Sequence, residues 1–311
     1  MITTTTGGKV EGRELGDGPD RILQFRSIPY AADTGGANRW RPAQPVAGWE
    51  GVRDCTEFGP TAPQPPSPLE TLLGAEPLPQ SEDCLSLTVT TPSVDGNRPV
   101  MVWIHGGAFT AGTGATPWYD GESFARNGDV VVVSINYRLG VLGFLHVGHL
   151  LGDEYADSGS LGISDQIAAL EWVRDNIASF GGDPTRVTVF GESAGGMSVS
   201  CLLGSPRAAG LFTTAIAQSG AASNVSTPDQ AAEVTSAVLA DLDLRETDAE
   251  QLLEVDLDRL LAAQTSASAK LTATRGLGGL SATGLPFQPV SHTRTLPQRP
   301  LEAIRAGSAA A

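Results

Sequence analysis

Ser193 lies in the run Phe190-Gly191-Glu192-Ser193-Ala194-Gly195-Gly196, directly after the β-branched stretch Arg186-Val187-Thr188-Val189 and directly before a helix-compatible segment. A serine at a sharp strand-to-helix turn has its hydroxyl lifted clear of the sheet, where it can attack an acyl carbonyl. Such a turn calls for glycine two positions to either side, because side chains at Gly191 or Gly195 would collide with the neighbouring strand and helix. A lone G-x-S-x-G arises by chance in many chains, so the flanking elements and a second motif carry the weight. That second motif is Met101-Val102-Trp103-Ile104-His105-Gly106-Gly107-Ala108-Phe109, an apolar strand ending in small residues. Read alone, it fits a tight turn after a strand. Beside a nucleophile, the N–H groups of Gly107 and Ala108, with that of Ala194, supply three donors for the oxyanion of a tetrahedral acyl intermediate.

The elements that must position these residues alternate between strands and helices. Leu85–Thr90, Val100–Ile104 and Val130–Ile135 read as strands, the last two nearly continuously apolar as expected for strands covered on both faces. Ser164–Ser179 reads as an amphipathic helix stopped by Gly181-Gly182, with Ile167, Leu170, Val173 and Ile177 at helical spacing. Thr213–Gln218 reads as a further buried strand and Pro228–Ala263 as two helices. Lys9–Ile28 suggests a small antiparallel ribbon on a sheet edge, turning at Gly16-Asp17-Gly18. The proline-dense stretch Pro60–Pro79 is expected as a surface loop or lid, and Thr265–Gly284 as a mobile loop. The pattern is α/β, with no internal repeat and no obvious interdomain linker.

Composition narrows the function. The 311 residues carry a net charge of −15 and only two lysines, Lys9 and Lys270, a balance that repels phosphate backbones and anionic lipid. Nucleic acid is not an expected partner. No 18-residue apolar run is present, and the opening Met1–Gly8 lacks the basic and apolar regions of a secretory signal, so the expected location is cytoplasmic. Cys55, Cys84 and Cys201 match no zinc spacing and no disulfide framework, and are expected as buried thiols, with a Cys55–Cys84 bridge disfavoured in a reducing compartment. No metal or cofactor is called for.

Taken in order, Ile28-Pro29-Tyr30-Ala31, Glu82-Asp83-Cys84-Leu85, His105–Phe109, Asn136-Tyr137-Arg138-Leu139-Gly140, Phe180-Gly181-Gly182-Asp183-Pro184, the Ser193 run and Gln218-Ser219-Gly220 resemble the type-B carboxylesterases, the cholinesterase-like branch of the α/β-hydrolases, and among them the bacterial para-nitrobenzyl esterases. The resemblance implies an α/β-hydrolase fold with a mostly parallel sheet and flanking helices. It implies a nucleophilic Ser193, oxyanion donors Gly107, Ala108 and Ala194, and a small carboxylic ester as substrate. It also implies a structural Arg39–Glu82 pair and a gorge entrance lined by Pro60–Pro79 and Phe109–Tyr119. Cholinesterase-like folds also serve as non-catalytic binding modules, which typically lose the nucleophile, and a lipase or thioesterase would share every one of these motifs.

A serine hydroxyl is a weak nucleophile without a histidine to take its proton and a carboxylate to orient that histidine, in the chain order Ser, acid, His. His105, His146 and His149 precede Ser193, and His105 is expected to shape the oxyanion turn. His292 follows Ser193 but reads as a surface histidine, and Glu302 as an ordinary acid in the first turn of a helix over Pro300–Ala306. Type-B carboxylesterases usually run well beyond this length and carry the acid and the histidine later, so the resemblance implies that residues 1–311 are the N-terminal portion of one α/β-hydrolase domain, either truncated or an inactive remnant. The C-terminal part of the fold is expected to be missing, which would leave Thr213–Gln218 as an unpaired, apolar sheet edge, and the triad acid and base are expected to lie beyond Ala311.

Overall fold

The computed structural model describes residues 1–66, 78–275 and 284–308. Ten strands are described: β1 (Ile2–Thr4), β2 (Lys9–Glu11), β3 (Arg13–Leu15), β4 (Ile22–Pro29), β5 (Val52–Asp54), β6 (Ser86–Thr91), β7 (Arg98–Ile104), β8 (Val131–Ile135), β9 (Gly182–Glu192) and β10 (Thr214–Gln218). Seven of them form the main sheet in the order β10-β9-β7-β8-β6-β4-β3, and β1, β2 and β5 form a small separate sheet.

The main sheet is parallel in one half and antiparallel in the other. β10, β9, β7 and β8 run parallel to their neighbours, whereas β8–β6, β6–β4 and β4–β3 are antiparallel. Helical crossovers between successive strands make the parallel half, and shorter returns such as the one between β3 and β4 make the other. The expected ribbon is the β3–β4 pair at the sheet edge, but Lys9–Glu11 leaves it to join the small sheet.

The helix expected over Ser164–Ser179 spans Leu161–Asn176 and continues as a 3-10 turn, Ile177–Phe180, before Gly181 caps it with a φ of 75°. It is not amphipathic. Ser164, Asp165 and Gln166 are buried along with its apolar residues, because the helix lies inside the domain with cover on nearly every side.

Two further expectations are corrected. Residues 265–275 are not a loop but the second half of a helix, Leu257–Arg275, whose Leu260, Ala263 and Ala267 are buried; Ala-rich sequence with an apolar stripe favours helix over loop. Residues 276–283 lie outside the described residues. Strand β10 is not buried: it forms the open edge of the sheet, and Ile216 is 43% exposed. Its apolar sequence looked like cover on both faces, but only β9 flanks it in the sheet.

The region before β6 is better fixed than a free lid. Thr61, Ala62 and Gln64 are buried and Thr61 bridges to Gln80, while residues 67–77 lie outside the described residues. Cys55, Cys84 and Cys201 are free, buried thiols.

Candidate active site

Strand β9 delivers Ser193 to a turn with φ 55° and ψ −121°, after which the helix Ala194–Gly204 begins at once. A non-glycine residue rarely adopts this conformation, and it persists only where the surroundings enforce it. Ser193 N–H donates to the carbonyl of Gln218 at the end of β10 (2.8 Å), and Ser193 C=O accepts from Met197 N–H (2.9 Å). Side chains at either glycine of the turn would collide with backbone. A Cβ on Gly195 would stand 2.1 Å from the carbonyl oxygen of Ile104, and one on Gly191 would stand 2.6 Å from the carbonyl carbon of Gly195. The turn is thus wedged against the end of β7.

The oxyanion candidate loop leaves β7 at the same place. A Cβ on Gly106 would lie 2.8 Å from the Glu192 carbonyl and 3.3 Å from Ser193 Cβ, so the two motifs, far apart in sequence, are in contact. Gly107, Ala108 and Phe109 have successive φ values of 111°, 56° and 62°, which turns the backbone sharply. The Gly107 carbonyl accepts from Thr110 and Ala111 N–H, each at 3.0 Å, so it points into the turn. The N–H groups of Gly107 and Ala108 have no acceptor among the described residues. Ala194 is the first residue of its helix, where N–H groups also lack intrahelical partners and the helix dipole favours negative charge.

Side chains that sequence reasoning missed hold this loop. Gln64 clamps Gly112 from both sides, its Oε1 accepting from Gly112 N–H (2.7 Å) and its Nε2 donating to Gly112 C=O (3.0 Å). Their separation of 48 positions leaves no local signal, although Gln64 does stand in the proline-dense stretch assigned to the entrance. Tyr137 donates its hydroxyl to the His105 carbonyl (2.8 Å) and stacks on the His105 ring, centroids 4.4 Å apart. His105 Nδ1 lies 2.8 Å from the Gly106 carbonyl, which requires the proton on that nitrogen. Burial pushes the His105 pKa down to about 4, so the ring is neutral and its role in the loop is structural, as expected.

No histidine is hydrogen-bonded to Ser193 among the described residues. Its hydroxyl has no hydrogen-bond partner among the described residues. His146 and His149 stack on each other, centroids 5.0 Å apart, and His292 is exposed beside the Ser291 hydroxyl. Glu302 is an exposed first-turn acid of the helix Pro300–Arg305. The Arg39–Glu82 pair is present and bidentate, Nε to Oε2 at 2.9 Å and Nη2 to Oε1 at 2.5 Å, with Nη1 donating to the Val255 carbonyl. Among the described residues no group of three or more His, Cys, Asp or Glu side chains is placed to hold a metal ion, and no helix is long and apolar enough to cross a membrane.

A strained serine between a parallel strand and a helix, facing a strand-end loop with free amides, on a sheet of this order defines an α/β-hydrolase. The chain belongs to the Carboxylesterase family, which it matches over residues 1–311. It is 44% identical to the para-nitrobenzyl esterase of Bacillus subtilis (strain 168) over 310 residues, covering 99% of this chain and 60% of that protein. It is 47% identical over 226 residues to the phenmedipham hydrolase of Pseudarthrobacter oxydans, covering 70% of this chain and 42% of that one. Among solved structures, the carboxylesterase of Geobacillus stearothermophilus superposes with a TM-score of 0.86 at 44% identity, covering 99% of this chain and 59% of the other. The chain spans about 60% of the length of the para-nitrobenzyl esterase it matches.

Proposed function

We propose that this chain carries the nucleophilic half of a carboxylic ester hydrolase that works through an acyl-enzyme on Ser193. The observation that carries the reading is the contact of the strained Ser193 turn with the loop that leaves the Gly107 and Ala108 amides unpaired. In this reading Ser193 Oγ attacks the carbonyl carbon of an ester while a base removes the hydroxyl proton. The developing oxyanion accepts hydrogen bonds from the N–H groups of Gly107, Ala108 and Ala194, each such donor being worth about 3–4 kcal/mol in the transition state. Collapse expels the alcohol, which takes the proton back from the base, and leaves an ester on Oγ that water then hydrolyses.

The base and its orienting acid come, in this reading, from outside these 311 residues, because none of the chain's four histidines is bonded to Ser193. Without them, oxyanion donors and binding supply only about 10³–10⁴ over the reaction in water. The substrate class is a small-molecule carboxylic ester in a cytoplasmic setting. The relatives described as a para-nitrobenzyl esterase and a phenmedipham hydrolase support the ester or ester-like bond, and the net charge of −15 weighs against nucleic acid.

A fluorophosphonate probe tests the serine's role. Labelling of the folded chain, lost in Ser193→Ala, is the expected result. Absence of labelling in a folded sample, or equal labelling of Ser193→Ala, overturns the reading.

A further inference from the structure

In a trans peptide the carbonyl and the N–H point to opposite sides of one plane, so an amide is aimed by whatever holds the carbonyl across from it. The Gly107 N–H shares its plane with the Gly106 carbonyl, which accepts from His105 Nδ1 at 2.8 Å. The Ala108 N–H shares its plane with the Gly107 carbonyl, which accepts from Thr110 and Ala111 N–H. Both carbonyls are turned into the loop, and both rest on Ala111 and Gly112. A Cβ on Gly112 would stand 2.6 Å from the Gly106 carbonyl oxygen and from His105 Nδ1, and one on Gly107 would stand 2.1 Å from the Ala111 carbonyl oxygen. The peptide that joins Ala111 to Gly112 is therefore the backing of the whole turn.

Gln64 holds that peptide from outside. Its Oε1 accepts from Gly112 N–H at 2.7 Å, across the peptide plane from the Ala111 carbonyl, and its Nε2 donates to the Gly112 carbonyl at 3.0 Å. The second Nε2 proton goes to the Ala62 carbonyl, also at 3.0 Å. The amide thus has a partner for its oxygen and for each of its protons, and turning it over would set donor against donor. Its own backbone is anchored as well, Gln64 N–H donating to Gln80 Oε1 at 3.0 Å and Thr61 N–H to the Pro79 carbonyl at 2.9 Å. Gln64 is buried, and among the described residues it is the only side chain from outside the His105–Gly112 run that hydrogen-bonds the backbone of Gly106–Gly112.

We infer that Gln64 is a positioning residue for the oxyanion donors: its hold on the Ala111–Gly112 peptide sets the directions of the Gly107 and Ala108 N–H groups. It acts through Gly112 and makes no hydrogen bond to Ser193. A side-chain amide suits this task because it presents one acceptor and one donor in a plane, as a neighbouring strand would, at a place where no strand runs. The inference rests on the reading that these N–H groups receive an oxyanion formed at Ser193.

The test compares the whole chain with Gln64→Leu, Gln64→Glu and Thr235→Val, the last removing a buried hydroxyl that donates to the His146 carbonyl at 2.7 Å, away from the loop. With a fluorophosphonate, Gln64→Leu is expected to lower the saturating labelling rate by about tenfold or more while the half-saturating concentration stays within about twofold, since the phosphonyl oxygen draws on the same donors. Thr235→Val is expected to change neither, whatever it costs in melting temperature. Gln64→Glu gives a signature that lost stability does not: the neutral carboxyl accepts and donates as the amide does, whereas the carboxylate only accepts and faces the Gly112 and Ala62 carbonyls. Its rate relative to wild type is expected to fall as the new carboxyl ionises between about pH 5 and 9. Equal saturating rates for wild type and Gln64→Leu, or a Gln64→Glu ratio that is flat with pH, overturns the inference. Residue-resolved hydrogen exchange separates it from the role of Ser193: Thr110 and Ala111 N–H, which hold the Gly107 carbonyl, are expected to exchange about tenfold faster or more in Gln64→Leu while Val100–Ile104 is unchanged. A wild type that shows this contrast but does not label counts against the serine alone, and exchange at Thr110 and Ala111 that is equal in the two proteins overturns the inference.

Discussion

Arg138 grips Asp165 with two parallel hydrogen bonds in the interior, Nε to Oδ2 at 2.8 Å and Nη2 to Oδ1 at 2.6 Å. Both side chains are essentially inaccessible, and Nη1 reaches on to the Arg41 carbonyl at 2.8 Å. The pair ties the segment after β8 to the buried helix Leu161–Asn176. Arg138 also adjoins Tyr137, the residue that supports His105, so the grip underlies the oxyanion candidate loop.

Removing one partner leaves the other as an uncompensated buried charge. Asp165→Ala is expected to cost about 3–5 kcal/mol, read as a lowered urea midpoint at constant slope. Replacing both, Arg138→Met with Asp165→Leu, is expected to recover more than half of that loss, because the interior then holds no unpaired ion. A double variant no better than Asp165→Ala would show that the pair's value lies in its geometry.

Gly195→Ala drives a methyl group into the Ile104 carbonyl, which belongs to a central strand and cannot yield. A loss of about 3 kcal/mol or more is expected, together with loss of fluorophosphonate labelling. Gly210→Ala is the control: its φ is positive, 76°, which Gly195 does not share, but open space surrounds the added carbon, and it is expected to cost only about 1–2 kcal/mol. Thermal melts of the two variants check the contrast.

His105 gives the fold an acid sensitivity. Its pKa is about 4 in the folded protein against about 6.5 unfolded, so the unfolded chain takes up the proton first as pH falls. The stability tied to the neutral ring is therefore complete above pH 6.5 and is lost between about 6.5 and 4, to a total of about 3 kcal/mol. Urea midpoints measured across that window should fall more steeply for the wild type than for His105→Phe, which keeps the ring stacked on Tyr137.

Strand β10 should govern self-association of the free chain. Ile216→Lys puts a charge on the exposed edge and is expected to suppress concentration-dependent light scattering while changing stability by no more than about 0.5 kcal/mol. Unchanged scattering would place the sticky surface elsewhere.

The Ser193 turn and the strands beside it were legible because their causes are local. Steric exclusion at Gly191 and Gly195 and the β-branched run before them act within a few residues. The Gln64–Gly112 clamp and the Arg138–Asp165 grip were not legible, since they join residues 48 and 27 positions apart whose types are ordinary for loops and helix faces. The exposure of the β10 side chains is not legible for a related reason. Val-rich β8 and the apolar β10 look alike in sequence, and only the strand order decides which has a neighbour on each side. The Thr265–Arg275 helix was missed because its small polar residues resemble linker, while Ala263 and Ala267 were the informative positions.

The backbone conformation at Ser193 carries one more consequence. The turn is fixed by main-chain contacts with Ile104, Gln218 and Met197, none of which depends on a proton acceptor being at hand. The hydroxyl is thus a preset anchor point, laid down as the sheet assembles and independent of the groups that later surround it.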